Sequence, residues 1–224
     1  MALKDNIVWY WKADTNGSFP DSVGSNNGTI NGATYTASGK INWAYSFDWT
    51  NDKITINTSF PSEWWISFWF TADVFGTGWY ASTNTNNNTL LHDTTAGYLW
   101  ISSGLSWEIS VNLYDTEFKI TTITSLSVDT WYHLVATWDT SNYYVYLNGS
   151  LEWSWVFSGL SALSDWVVIG STYENNRYWD WNFDEFGIFD SLLSQTDVTN
   201  LYNGWAGNQY PFIEGNPIFF GANF

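Results

Sequence analysis

The sequence predicts an all-β protein, folded as one large sandwich-type domain, and three observations predict it. Short runs rich in aromatic and β-branched residues recur along the chain, separated by clusters of Asn, Gly, Asp and Ser. Aromatic residues make up 21% of the chain and charged residues only 12%, with Asn, Ser, Thr and Gly as the polar remainder, the balance of a strand-and-turn protein. The 224 residues show no internal repeat and no linker before residue 204, so they suit a single sizeable core.

Taken in order, the strand candidates are IVWYWKA (7–13), WAYSF (43–47), KITI (53–56), WWISFWFTA (64–72), YLWIS (98–102), WEISVNL (107–113) and FKITTI (118–123). WYHLVATW (131–138), YYVYL (143–147), WVVIG (166–170) and NFDEFGIF (182–189) follow. Turn signals separate them, notably TSN (140–142) and NGS (148–150). Together they predict roughly eleven to thirteen strands at sandwich spacing. One helix is expected in SQTDVTNLYNG: Ser194 and Asp197 form a capping box, Val198, Leu201 and Tyr202 make one apolar face, and Gly204 ends it. It reads as a lid on the sandwich.

Charge and composition exclude several classes. Six basic against 22 acidic residues leave a net charge of −16, which argues against nucleic acid and against an anionic membrane surface. Cysteine is absent, so disulfides, thiolate metal sites and a thiol nucleophile are excluded. No apolar run suits membrane insertion, and the start MALKDNIVWYWKAD lacks the apolar core of a secretory signal. The expectation is a protein made in the cytoplasm.

WYHLVATWDTSNYYVYLNGSLE resembles the central hairpin of laminin-G-like and pentraxin-like domains. VVIGSTYENNRYWDWNFDEFGIFDSLLSQTDVTNLYNG resembles their C-terminal signature, and YWKADTNGSFPDSVGSNNGTINGATYT and AYSFDWTNDKITI their N-terminal strands. The resemblance covers about residues 6 to 204. It implies the concanavalin A-like jelly roll, two antiparallel sheets of about six or seven strands each, as a domain over 1–204 with an aromatic tail over 205–224. It also implies an activity that is mainly binding, often to carbohydrate and sometimes with calcium.

Against that pattern the tryptophans divide. Trp11, Trp69, Trp131 and Trp138 fall where such domains favour Trp. Trp43, Trp49, Trp181 and Trp205, with Trp153 as a fifth case, fall where the pattern reads glycine. Glycine is the expected residue at a bend because it reaches positive φ without steric cost. Three readings stand: bends remodelled to tolerate a bulky residue; an exposed aromatic ligand surface; or glycine codons translated as tryptophan, since some genetic codes read UGA as Gly and others as Trp.

Candidate site residues follow. For calcium, which takes six to eight oxygens, the loop PDSVGSNNG offers Asp21, Asn26 and Asn27, and Asp184 approaches them if the terminal strands pair. DWTND offers Asp48, Asn51 and Asp52 as a second set; the competing reading of both is Asx turns bonding their own backbone. For a glycan, the loop 76–89 offers Trp79 and Tyr80, and the loop 172–181 offers Tyr173, Arg177, Tyr178 and Trp179. Catalysis is not expected. Asp184 and Glu185 are adjacent and so face opposite ways on a strand, Asp180 and Asp184 share a face but lie too far apart, and DTE (115–117) has the right spacing but reads as a hairpin turn. His133 reads as a packed core residue, and His92 beside Asp93 does not make a metal site.

The function expected from these readings is a non-catalytic lectin-like adhesion module in a virion or comparable surface assembly, with glycan or other assembly proteins as partners. The rivals are a free carbohydrate-binding protein and a glycan-active enzyme. The tail WAGNQYPFIEGNPIFFGANF carries one charge, Glu214, among eight large apolar residues. It is expected to lie extended with its rings covered, by its own domain or by a second copy or partner.

Overall fold

The structure is a computed structural model that describes residues 3–58, 64–71, 88–93, 99–104, 108–114, 118–123, 126–139, 141–156, 166–172 and 177–212. After a short helix α1 (Leu3–Asn6) come β1 (Ile7–Trp11), β2 (Thr29–Asn31), β3 (Thr34–Thr36), β4 (Ala44–Asp48), β5 (Lys53–Asn57), β6 (Trp64–Phe70) and β7 (Thr89–Asp93). Then follow β8 (Leu99–Gly104), β9 (Glu108–Tyr114), β10 (Phe118–Ile123), β11 (Tyr132–Trp138), β12 (Asn142–Leu147), β13 (Ser150–Val156), β14 (Trp166–Ile169) and β15 (Asp180–Phe189). The chain closes with α2 (Gln195–Tyr202) and a single 3-10 turn, Asn203–Trp205.

Two antiparallel sheets face each other. The eight-stranded sheet runs β13-β12-β11-β6-β15-β4-β3, with β1 added on β15; the seven-stranded sheet runs β10-β9-β8-β7-β14-β5-β2. This is the predicted jelly-roll sandwich with its C-terminal helix. The terminal strands do pair, Trp11 lying opposite Phe186.

Four strands were not legible as separate runs. β2 and β3 are three residues each and sit at the sheet ends, where little apolar burial marks them. β7 follows an Asn-rich stretch, and β13 follows a two-residue turn. That turn is Asn148–Gly149, with φ 49° and 81°, the doubly left-handed geometry that matches strand twist.

The main core lies between the sheets and is aromatic. Trp11 stacks between Phe19 and Phe186, and Phe68 stacks on Phe183. A second cluster covers the outer face of the eight-stranded sheet, where Val198 and Leu201 of α2 meet Trp65, Val135, Tyr146 and Phe189. Each large apolar side chain buried there contributes about 1.5–3 kcal/mol. All seven residues of β11 are buried because one face meets the core and the other the helix, so polar alternation is absent.

The capping box of α2 is formed. Asp197 N–H donates to Ser194 Oγ at 3.2 Å, and Ser194 N–H donates to Asp197 Oδ2 at 2.8 Å. The helix then turns left-handed at Asn203, one residue before Gly204. From there the chain lies across the sheet: Phe212 is buried against Phe189 and Tyr10, with Tyr210 beside it. Tail residues 213–224 fall outside the described residues. The bend 48–52 carries the chain from β4 in one sheet to β5 in the other.

Candidate functional site

Strand alternation divides β7, β8 and β9 between core and outer surface. Leu91, Leu99, Ile101, Ile109 and Val111 point into the core. The intervening residues line the outer face in rows set by register: His92, Trp100 and Asn112 form one row, Ser102 and Ser110 the next. The Trp100 ring is held by its own indole N–H, which donates to Thr89 Oγ1 at 3.0 Å. Asn112 Nδ2 donates to the Trp100 carbonyl at 2.9 Å, and the His92 ring meets Trp100 edge-on at 6.1 Å. Arg177 arrives from the loop before β15: its carbonyl accepts from Thr89 N–H at 2.9 Å and its guanidinium lies 4.9 Å from the Trp100 ring centre.

On this face the Trp100 indole and the Arg177 guanidinium are half-buried, whereas His92, Asn112, Ser102 and Ser110 are buried. The half-buried indole and guanidinium offer an apolar surface and N–H donors to a sugar. Of the glycan candidates expected from sequence, Arg177 belongs to this face and Tyr178 is half-buried next to it in the chain. Trp79, Tyr80 and Tyr173 lie outside the described residues. Trp179 requires a correction. It is fully buried and packs on Trp181 at 4.0 Å, so it presents no face to a ligand. The strand begins two residues earlier than expected, at Asp180, and Trp179 just before it is already anchored by main-chain bonds to Gly170 and Trp49. Trp100 was missed because YLWIS reads as core, although its alternation sets Trp100 opposite Leu99 and Ile101.

The residues expected to hold calcium are placed differently from that expectation. Asp21 Oδ1 accepts from Tyr10 N–H at 3.1 Å and Val23 N–H at 3.0 Å, and Oδ2 from Asn26 N–H at 3.1 Å. Asn27 Oδ1 takes the Asp21 N–H at 3.0 Å, and the Asn26 carbonyl accepts from the Trp11 indole at 2.9 Å. A carboxylate surrounded by N–H donors meets positive ends of dipoles where a cation would sit, so this loop does not fit calcium as folded. Asp48 likewise takes Thr50 N–H at 2.9 Å in an Asx turn, and Asp52 takes Asp48 N–H at 3.1 Å. Among the described residues no group of three His, Asp or Glu side chains is arranged to hold a metal ion.

Asp184 and Glu185 do not follow strand alternation. A bulge between Asp184 and Gly187 turns Glu185 to φ 53°, and a bulge re-aims side chains. Both carboxyls come to lie beside Asp14. Glu185 accepts from Tyr10 Oη and from Gln209 Nε2, each at 2.5 Å, and Gln209 Nε2 also reaches Asp14 Oδ2 at 2.8 Å. Asp184 Oδ2 accepts from Ile41 N–H at 3.0 Å, while its Oδ1 has no partner among the described residues. Burial pushes Glu185 up to about 8, against the hydrogen bonds from Tyr10 and Gln209, and pushes Asp184 well above the carboxylate range, helped by Glu185. His133 is the packed residue expected: it is buried, its Nε2 pairs with Ser67 Oγ at 2.8 Å, and burial lowers it to about 3, with Lys40 adding to the effect.

Fold and outer face together define a β-sandwich of the lectin architecture, and the wider comparisons agree. A family model described as the concanavalin A-like lectin/glucanases superfamily matches residues 48–199. The chain belongs to that superfamily. Among curated proteins, none matches its sequence. Among solved structures, it resembles the binding domain of botulinum neurotoxin serotype D, with 16% identity and a TM-score of 0.71 over 91% of this chain and 55% of that one. It resembles the binding domain of Paraclostridial Mosquitocidal Protein 1 with 19% identity and a TM-score of 0.71, over 91% of this chain and 53% of that one. It thus spans about half the length of these toxin domains. It also resembles domain 4 of AbnA, an extracellular arabinanase from Geobacillus stearothermophilus in complex with arabinotriose. There the identity is 19% and the TM-score 0.68, over 87% of this chain and 97% of that domain. Among the described residues, no helix is long and apolar enough to cross a membrane.

Proposed function

We propose that the protein is a non-catalytic lectin-like module that binds a neutral glycan on the outer face of its seven-stranded sheet, around Trp100 and Arg177. The observation that carries this reading is the Arg177 guanidinium 4.9 Å from a Trp100 ring that is itself held by Thr89. The arabinotriose complex of the AbnA domain, which this chain matches over nearly the whole of that domain, supports a saccharide as the ligand class. A neutral glycan fits best, because a net charge of −16 repels acidic ones at long range. A binding role fits the carboxylates too: Asp184 and Glu185 are almost wholly buried under Tyr10, Ile41 and Gln209, out of a substrate's reach. The setting in this reading is a virion or comparable surface assembly, in which the aromatic tail serves attachment to a partner or a second copy; capsid or tail genes beside its own would support it.

A glycan array tests the ligand. Binding to one or more neutral oligosaccharides is expected, weakened about tenfold or more in Trp100→Ala and Arg177→Ala, the scale of ~1.4–2 kcal/mol for a central contact. An array without any binder, or variants that bind as the parent does, would overturn this site.

A further inference from the structure

Two tryptophans occupy backbone geometry that tryptophan avoids. Trp49 has φ 65° and Trp205 φ 84°. At positive φ the Cβ of an L residue crowds its own main chain, and a bulky residue there is a true outlier. Among the described residues, the other non-glycine residues with positive φ span 49° to 60°, and four of those seven are Asn or Asp, which tolerate it. Trp205 lies beyond all of them. Its φ falls instead among the chain's own glycines: Gly32 at 83°, Gly149 at 81°, Gly170 at 86° and Gly207 at 79°. It also closes a run of three left-handed residues, after Asn203 and Gly204.

Among the described residues, no side-chain hydrogen bond or ring contact offsets the strain at Trp49. Glu185, also left-handed, is held by hydrogen bonds from Tyr10 and Gln209, and Arg177 by its place over Trp100. The Trp49 main-chain N–H donates to the Trp179 carbonyl at 2.9 Å. Its ring makes no hydrogen bond or ring contact among the described residues, and the residue is 40% exposed. The other tryptophans described have ordinary φ, Trp43, Trp153 and Trp181 among them, and Trp43 is supported by stacking on Tyr35 at 4.7 Å. Geometry therefore singles out two of the five positions at which the sequence pattern calls for glycine.

We infer that positions 49 and 205 carry glycine in the protein as its own cells make it, the codons being UGA read as glycine and here rendered as tryptophan. A glycine codon and UGA differ by one base, so a cell that assigns UGA to glycine places that codon at sites shaped for glycine. The backbone keeps that shape and the rings at 49 and 205 are then no ligand platform, which leaves the sheet face of Trp100 as the aromatic surface to test.

Protein recovered from its source cells decides the matter. Trypsin releases one peptide between Lys40 and Lys53 that contains position 49, and one following Arg177 that contains position 205. Fragment mass spectra are expected to read glycine at both; tryptophan at either overturns the inference. In the gene, UGA is expected at 49 and 205 against UGG at the core positions Trp11, Trp69 and Trp138, and UGG at 49 or 205 overturns it equally. Recombinant variants check the physical premise. Trp49→Gly is expected to melt about 2–4 °C above the parent. Trp205 needs an alanine control, because its ring packs on Trp69 and Tyr202. Trp205→Gly should melt above Trp205→Ala, and the reverse order would refute the glycine-shaped backbone.

Discussion

Asp21 shows how one side chain can organise a loop through main-chain donors. Its two oxygens receive the N–H groups of Tyr10, Val23 and Asn26, so it ties the loop after Phe19 to β1. Gly24 is required beside it, since a Cβ there would lie 2.8 Å from Asp21 Oδ2. Removing the carboxylate leaves three donors, one of them on a buried strand, without acceptors. Unsatisfied buried groups cost about 1–3 kcal/mol each, and the exposed ones regain water. Asp21→Ala is therefore expected to lower stability by about 2–3 kcal/mol in denaturant titration. Melting in calcium and in chelator should give the same midpoint for the parent; a higher midpoint with calcium would show that the loop opens to the ion after all.

At the scale of elements, α2 depends on its first turn. Ser194 and Asp197 satisfy each other's main-chain N–H groups, and the helix has no basic residue in its last turn to favour the dipole. Its packing on the sheet rests on the buried Val198 and Leu201 and on Tyr202, which stacks on Trp69 and His133. Ser194→Ala should cost about 1 kcal/mol, read as a fall of about 2–4 °C in melting temperature, with little change in glycan binding because the helix lies on the opposite sheet from Trp100. This element was legible residue by residue, since capping is local chemistry. The bulge in β15 was not. Nothing in FDEF distinguishes a regular strand from one that turns Glu185 left-handed; the turn exists because Tyr10 and Gln209, distant in sequence, receive its carboxyl.

The whole molecule carries a pH dependence in the same cluster, which joins β1, β15, the 39–43 loop and the segment after α2. The groups facing Glu185 are Tyr10, Gln209, Asp14, Lys12 and Asp184. Its folded value of about 8 exceeds the ordinary 4.5, so between these the native state holds a proton that the unfolded chain has lost. Stability then falls as pH rises through that window, by at most ~1.4 kcal/mol per pH unit for one proton. His133 has the opposite sign: lowered to about 3, it costs stability as pH falls below 6.5 and is silent above it. Between about pH 6.5 and 8 His133 is silent, so the raised carboxyls of Glu185 and its neighbour Asp184 carry the dependence. Melting temperature is expected to fall across this range, and Glu185→Gln, which keeps an acceptor for Tyr10, should flatten the fall. An unchanged slope in that variant would assign the effect to other groups.

What the sequence by itself determined is what local chemistry encodes. Recurring aromatic and β-branched runs set the sandwich, Ser194 and Asp197 set the helix start, and Asn148–Gly149 set the β12–β13 turn. Arg177 could be nominated as a ligand group because Arg among aromatics in a loop is itself informative. The tertiary structure alone decided which face each strand shows and what lies across it. It buried Trp179, brought Trp100 under Arg177, and turned Asp21 toward backbone donors. It also gathered Asp14, Asp184 and Glu185 into one buried cluster. The reason is physical: strand and helix periods depend on neighbours a few residues apart, whereas register, bulges and the partners of a buried polar atom depend on which separate segments meet in space, as Tyr10 and Glu185 do across 175 residues.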